Sequence, residues 1–185
     1  MGCRYPGDPM DRFWVRYSDA PTTAIQTGHD VGLNNMPDDP PLTVMQTSFY
    51  EPNFTVSITA LADVLTTSTV AGSHKYYIAY FFAEVDERVN ASGQRVFDIT
   101  VNGDLFAQGV DIYTDASGMY KGLEYYTNTS VPLGPYSDNI IIESKARSTS
   151  IYPASIAGIE VLQLFDNPMN ATTPTFSLDG TDCTS

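Results

Sequence analysis

The chain has 185 residues, 42% hydrophobic and 12% aromatic, which is apolar material for one core and too little length for two ordinary domains. Its 9 Lys and Arg against 22 Asp and Glu leave a formal charge of -13. That balance excludes a binder of the phosphate backbone, which would need basic side chains to displace counterions, and the same field repels anionic lipid and polyanionic polysaccharide while attracting cationic peptides.

Strand signals dominate along the chain. Segment 36–42, MPDDPPL, breaks it as a loop, and Val44 to Tyr50 reads as the strand that follows. Phe54, Val56, Ile58 and Ala60 then alternate with Thr55, Ser57 and Thr59, a period of two that faces one side to a core and the other to water. Asn53 falls on the Thr side. Lys75 to Val85, KYYIAYFFAEV, is apolar on both faces, as expected of a central strand covered on each side. Arg95 to Val101 alternates Phe97, Ile99 and Val101 against Asp98 and Thr100 and runs into Asn102-Gly103, the dipeptide suited to the two positive φ angles of a type I′ turn. Asp104 to Val110 should return antiparallel. A loop at 131–136, VPLGPY, precedes strands expected at Asn139 to Ala146 and Ile156 to Phe165, with Ile159, Val161 and Phe165 on one side. The whole predicts an all-β sandwich with little helix, one module over 1–165, and a polar linker or surface strap over 166–185.

Asn53, Asn90, Asn128 and Asn170 each open an Asn-x-Ser/Thr triplet without proline, and four such acceptors spread over the chain point to a secreted glycoprotein. No apolar run reaches the roughly 18 residues of a membrane span, and the first residues lack the pattern of a signal peptide, so membrane attachment is expected only through a span outside this chain. Cys3 and Cys183 stand near the two ends. A bond between them, bonds to cysteines in flanking sequence, and two free thiols all remain open.

Catalytic patterns are sparse. There is no Gly-x-Ser-x-Gly elbow, no His-Glu-x-x-His helix and no phosphate loop, and His29 and His74 stand alone. No cofactor or metal is implied. Glu84, Asp86 and Glu87 form the densest carboxylate cluster; two acids could in principle flank a sugar bond, but the position reads as a solvated strand end giving way to a loop. Tyrosines are more suggestive, because sugar rings stack on them while the phenol bonds sugar hydroxyls. Tyr113, Tyr120, Tyr125, Tyr126 and Tyr136 lie in or beside expected loops.

Tyr5-Pro6-Gly7-Asp8-Pro9-Met10-Asp11-Arg12-Phe13-Trp14 resembles the opening of the second module in the malectin-like ectodomains of plant receptor-like kinases. Val44-Met45-Gln46-Thr47, Tyr77 to Glu84, Arg95 to Ile99 with Val101-Asn102-Gly103, and Ser155 to Leu164 agree in order and spacing. The resemblance implies a jelly-roll β-sandwich without catalytic activity, carried on the extracellular face of the plasma membrane as part of a longer receptor. Animal malectin, the family's namesake, binds glucose-rich glycans through loop aromatics and an aspartate. Tyr50 matches one stacking tyrosine, while the aromatic pair falls on Asp86 and Glu87 and the aspartate on Tyr152. The expected ligand positions are therefore Tyr50, Asp86, Glu87, Tyr125, Tyr126 and Tyr152. The expected partner is a carbohydrate of the cell wall or a glycan, or else a cationic peptide or co-receptor; a carbohydrate-binding module attached to a carbohydrate-active enzyme is the alternative.

Overall fold

The computed structural model describes residues 2–4, 8, 12–15, 23–34, 36–59, 73–132 and 139–164. Strands occur in chain order as β1 (Gly2–Arg4), β2 (Phe13–Val15), β3 (Ala24–Gln26), β4 (Thr47–Glu51), β5 (Asn53–Thr59), β6 (Ser73–Ala83), β7 (Phe97–Val101), β8 (Asp104–Val110), β9 (Gly122–Pro132), β10 (Asn139–Ala146), β11 (Ala154–Ile156) and β12 (Gly158–Leu164). Two helical turns, α1 (Leu42–Met45) and α2 (Ile112–Asp115), interrupt them. The fold is all-β, as the alternation predicts.

Two antiparallel sheets, ordered β5-β10-β7-β8 and β12-β6-β9, face each other. Tyr76, Ile78, Tyr80 and Phe82 of β6 meet Phe54, Phe97, Ile99, Val101, Ile140 and Ile142 of the opposite sheet in one buried cluster. The other face of β6 presents Ala79, Phe81 and Ala83, which Val31, Met36, Met45 and Ala157 cover. Side chains alternate across a strand, so a strand buried on both faces must be apolar at every position. The run read from the sequence as central is therefore covered on both sides by different parts of the chain.

The hairpin at 101–104 forms as read. Asn102 and Gly103 have φ of 52° and 86°, and β8 returns antiparallel along β7 with register shifts near Ile99. Phe54 is buried while Asn53, Thr55 and Ser57 are exposed. Two boundaries differ. The segment expected as one strand from Val44 opens as the turn α1, because Pro40 and Pro41 precede it and lack the N–H groups a strand ladder needs; the strand starts at Thr47. The last expected strand is two: β11 pairs with β4, β12 pairs with β6, and the chain changes sheet at Ala157, whose N–H donates to the Phe81 carbonyl at 2.9 Å. Periodicity is blind to this break, since Ile156 and Ile159 are both apolar and only the partner strand changes.

β8 and β9 each end their sheet among the described residues. The start of β9 is held by the segment before it in space: Gly32 donates to the Tyr120 carbonyl at 2.9 Å and accepts from Gly122 N–H at 2.8 Å. Met36 lies so close to Gly122 that a Cβ there would collide with it.

Candidate functional site

The loop from β6 to β7 carries the most concentrated charge chemistry. Glu84 shares the even parity of Tyr80 and Phe82, and Arg95 shares the odd parity of Phe97 and Ile99, so each extends a core-facing stripe. Both are buried, at 1% and 2% exposure, and they pair: Arg95 Nε donates to Glu84 Oε2 at 2.9 Å. Arg95 Nη2 reaches Asp86 Oδ2 at 3.1 Å, and Nη1 donates to the Pro153 carbonyl. Glu84 Oε1 accepts the Asp86 N–H at 3.1 Å. Burial raises the Glu84 pKa, and the Arg95 charge opposes that rise without cancelling it. The expected solvated strand end is thus corrected to a buried ion-pair network. Local sequence missed it because the guanidinium that neutralises Glu84 stands eleven residues on, at the far end of the loop just before β7; the shared inward parity of two opposite charges was the available signal.

Asp86 is also held from outside. Arg88 Nε and Nη2 bond its two oxygens, each at 2.8 Å. Burial disfavours the Asp86 carboxylate, but the hydrogen bonds and charges of Arg88 and Arg95 prevail and hold its pKa below the ordinary value. The Arg88 guanidinium in turn lies 5.8 Å from the Tyr50 ring centre and 5.7 Å from that of Tyr152, within cation–π range of both faces. Tyr50, Asp86 and Tyr152, far apart in sequence, are brought together around Arg88, a residue sequence reasoning did not single out.

Glu87 lies outside this group. It accepts the Tyr120 hydroxyl at 3.1 Å and stands 3.7 Å from His29, whose ring centre is 4.6 Å from that of Tyr120.

Tyr125 and Tyr126 are corrected from loop to strand, since both belong to β9, and successive residues there point to opposite faces. Tyr125 packs toward the core and donates to Asp115 Oδ2 at 2.9 Å; burial first, then that carboxylate, push its phenol up to about 12. Tyr126 is 61% exposed and stacks on Tyr77 at 5.9 Å. Tyr77 donates to Asp38 Oδ2 at 2.6 Å, and the Asp38 N–H donates to Glu124 Oε2 at 3.2 Å. Glu124 Oε1 is buried and has no hydrogen-bond partner among the described residues. Burial, with the neighbouring charges of Asp38 and Glu160, raises the Glu124 pKa to about 7. Nearby, Arg12 holds Asp8 at 2.9 Å, Glu160 at 3.2 Å and the Asp39 carbonyl at 2.7 Å, so the Asp and Arg of the opening motif clamp the N-terminal segment to β12.

Asn53 and Asn90 are exposed. Asn128 lies in β9 opposite Tyr77, and Cys3 in β1 opposite Trp14. Asn170, Cys183, Phe165, Tyr136 and the 166–185 segment lie outside the described residues, and with them the cysteine pairing. Among the described residues no group of three His, Cys, Asp or Glu side chains could hold a metal, and no helix is long and apolar enough to cross a membrane.

The family model of the malectin-like domain matches residues 1–164. Receptor-like protein 4 of Arabidopsis thaliana is 28% identical over 170 residues, covering 86% of this chain and 25% of the relative. The chain therefore spans about a quarter of that protein's length. The ANX2 ectodomain of Arabidopsis thaliana superposes with a TM-score of 0.66 at 16% identity, over 88% of this chain and 47% of that one. A structure of the plant peptide RALF23 in complex with FER and LLG2 contains a chain that matches with a TM-score of 0.63 at 13% identity, over 88% and 46%.

Proposed function

The chain belongs to the malectin-like family, and on that premise we propose that it is a non-catalytic recognition module of a plant receptor-like ectodomain, displayed on the extracellular face of the plasma membrane, whose partner is a basic peptide or protein rather than a sugar. The observation that carries this reading is the placement of Arg88 over Tyr50 and Tyr152. A sugar ring needs an aromatic face open to it. Here one guanidinium lies over both rings, 5.8 Å and 5.7 Å from their centres, and Asp86 anchors it through two 2.8 Å bonds. Glycoside hydrolysis needs two carboxyl groups free to act on substrate. Glu84 and Asp86 are instead bound to Arg95 and buried at 1% and 4% exposure.

The net charge of -13 favours a basic partner kinetically, and the structural neighbour solved with a peptide supports a peptide partner. Isothermal titration against neutral oligosaccharides, acidic oligosaccharides and cationic peptides tests the reading. Saturable binding is expected for cationic peptides alone. Saturable sugar binding that disappears in Tyr50→Ala would reverse it.

A further inference from the structure

A groove of about 450 Å³ runs between β8 and β9, the strands that end the two facing sheets among the described residues. Phe106 to Val110 of β8 form one wall, Glu124 to Tyr126 of β9 the other, and Asp115 closes one end. An edge strand leaves alternate N–H and C=O groups pointing away from its sheet, ready to pair with another extended chain. The two walls differ in this respect. β8 breaks register against β7 at two points, and Gly109, at φ 71°, turns its N–H inward to Asp98 Oδ1 at 2.7 Å; such irregularity blunts an edge. β9 keeps an unbroken register with β6 from Gly122 to Pro132. Its outer edge is taken at the start by Gly32, and Glu124 to Tyr126 lie beside the groove.

We propose that this groove takes an extended cationic segment of a partner protein, which adds to β9 as a further strand and lays an Arg or Lys side chain over Tyr126. The inference rests on the reading above that the partner is basic. Strand addition draws affinity from main-chain bonds and specificity from alternate side chains. Tyr126 supplies an exposed aromatic face backed by Tyr77, to which a guanidinium is attracted. Asp115 is exposed at the groove's end and Asp38 accepts the Tyr77 hydroxyl; no base is among the lining residues, and Arg147 beside Gly109 is paired with Asp98. A second copy of this chain is disfavoured as occupant, because each copy carries a charge of -13.

The probe is a short peptide of alternating arginine and threonine, matched to the two-residue period of a strand. Its controls are the glutamate–threonine counterpart and the same arginine peptide N-methylated at alternate residues, which keeps charge and side chains but removes the edge donors. Saturable binding of the arginine peptide is expected to weaken at least about tenfold on N-methylation and to a similar extent in Tyr126→Ala. Ile151→Ser, at a 70% exposed residue outside the groove, should bind as the parent does, and circular dichroism verifies that both variants fold. Binding that ignores both N-methylation and Tyr126→Ala overturns the groove assignment while the basic-partner reading stands. Absence of binding by every cationic peptide tested overturns that reading and this one with it, and equal binding of the glutamate peptide overturns the charge argument.

Discussion

Replacing Arg95 by methionine keeps an unbranched apolar stem but removes the guanidinium, and with it the charge between Glu84 and Asp86. In the parent, Arg95 is 2% exposed and bonds Glu84 at 2.9 Å, Asp86 at 3.1 Å and the Pro153 carbonyl. After the change Asp86 keeps Arg88, whereas Glu84 retains only the Asp86 N–H at 3.1 Å. Removing one partner of a buried pair costs about 3–5 kcal/mol, because the other charge stays buried without compensation. With a urea dependence of about 2 kcal/mol per molar, the unfolding midpoint should fall by about 2 M. The deficit should be smaller at pH 5 than at pH 7. Burial already raises the Glu84 pKa, and losing Arg95 raises it further, so a proton neutralises the stranded acid more readily as pH falls. Arg95→Met combined with Glu84→Gln should therefore recover part of the loss at pH 7, and its stability should depend less on pH. Urea titrations of the three chains at both pH values decide the matter. A cost below about 1 kcal/mol for Arg95→Met at pH 7, or no recovery in the double variant, would refute the description of this network as a buried, mutually dependent ion pair.

Glu124→Gln should change how stability varies with pH. The folded pKa of Glu124 lies near 7, above its ordinary value of 4.5, so the stabilising protonated form is present at low pH and lost as pH rises through about 7. Thermal midpoints of the parent should decline from pH 5 to pH 8 and those of the variant should decline less; parallel curves would contradict the assignment. Asp111 accepts from Thr114 N–H, Thr114 Oγ1, Ser92 Oγ and Gly93 N–H. Asp111→Ala should cost about 2 kcal/mol by urea unfolding through loss of the cap and its bonds. Burial opposes ionisation of Asp111, but those bonds hold its pKa below the ordinary value, so its contribution is complete above pH 4 and is lost as pH falls below that; a neutral effect at pH 7 would count against it. Expression through a eukaryotic secretory route should add glycans at Asn53 and Asn90, both exposed, and mass spectrometry of Asn53→Gln and Asn90→Gln should show one glycan fewer in each.

The alternation of Phe54 with Thr55, or of Phe97, Ile99 and Val101 with Asp98 and Thr100, is a local property of the chain, because a strand sends successive side chains to opposite faces whatever it packs against. Asn102-Gly103 likewise carries its positive φ angles in its own chemistry. Strands β5 to β8 and β10, the hairpin, the exposed setting of Asn53 and the family pattern through Asp8 and Arg12 were therefore legible from the amino acids alone, whereas β1, β2, β3 and β9 were not. Beyond the β7–β8 hairpin, the sequence could not say which strand lies beside which, and the features that depend on a distant partner waited for that. The change of sheet at Ala157, the pairing of Glu84 with Arg95 and the placement of Arg88 over Tyr50 and Tyr152 join residues on different strands and loops. Burial then raised the pKa values of Glu84 and Glu124, since the cost of a charge depends on which atoms replace its water, and only the tertiary structure decides those atoms.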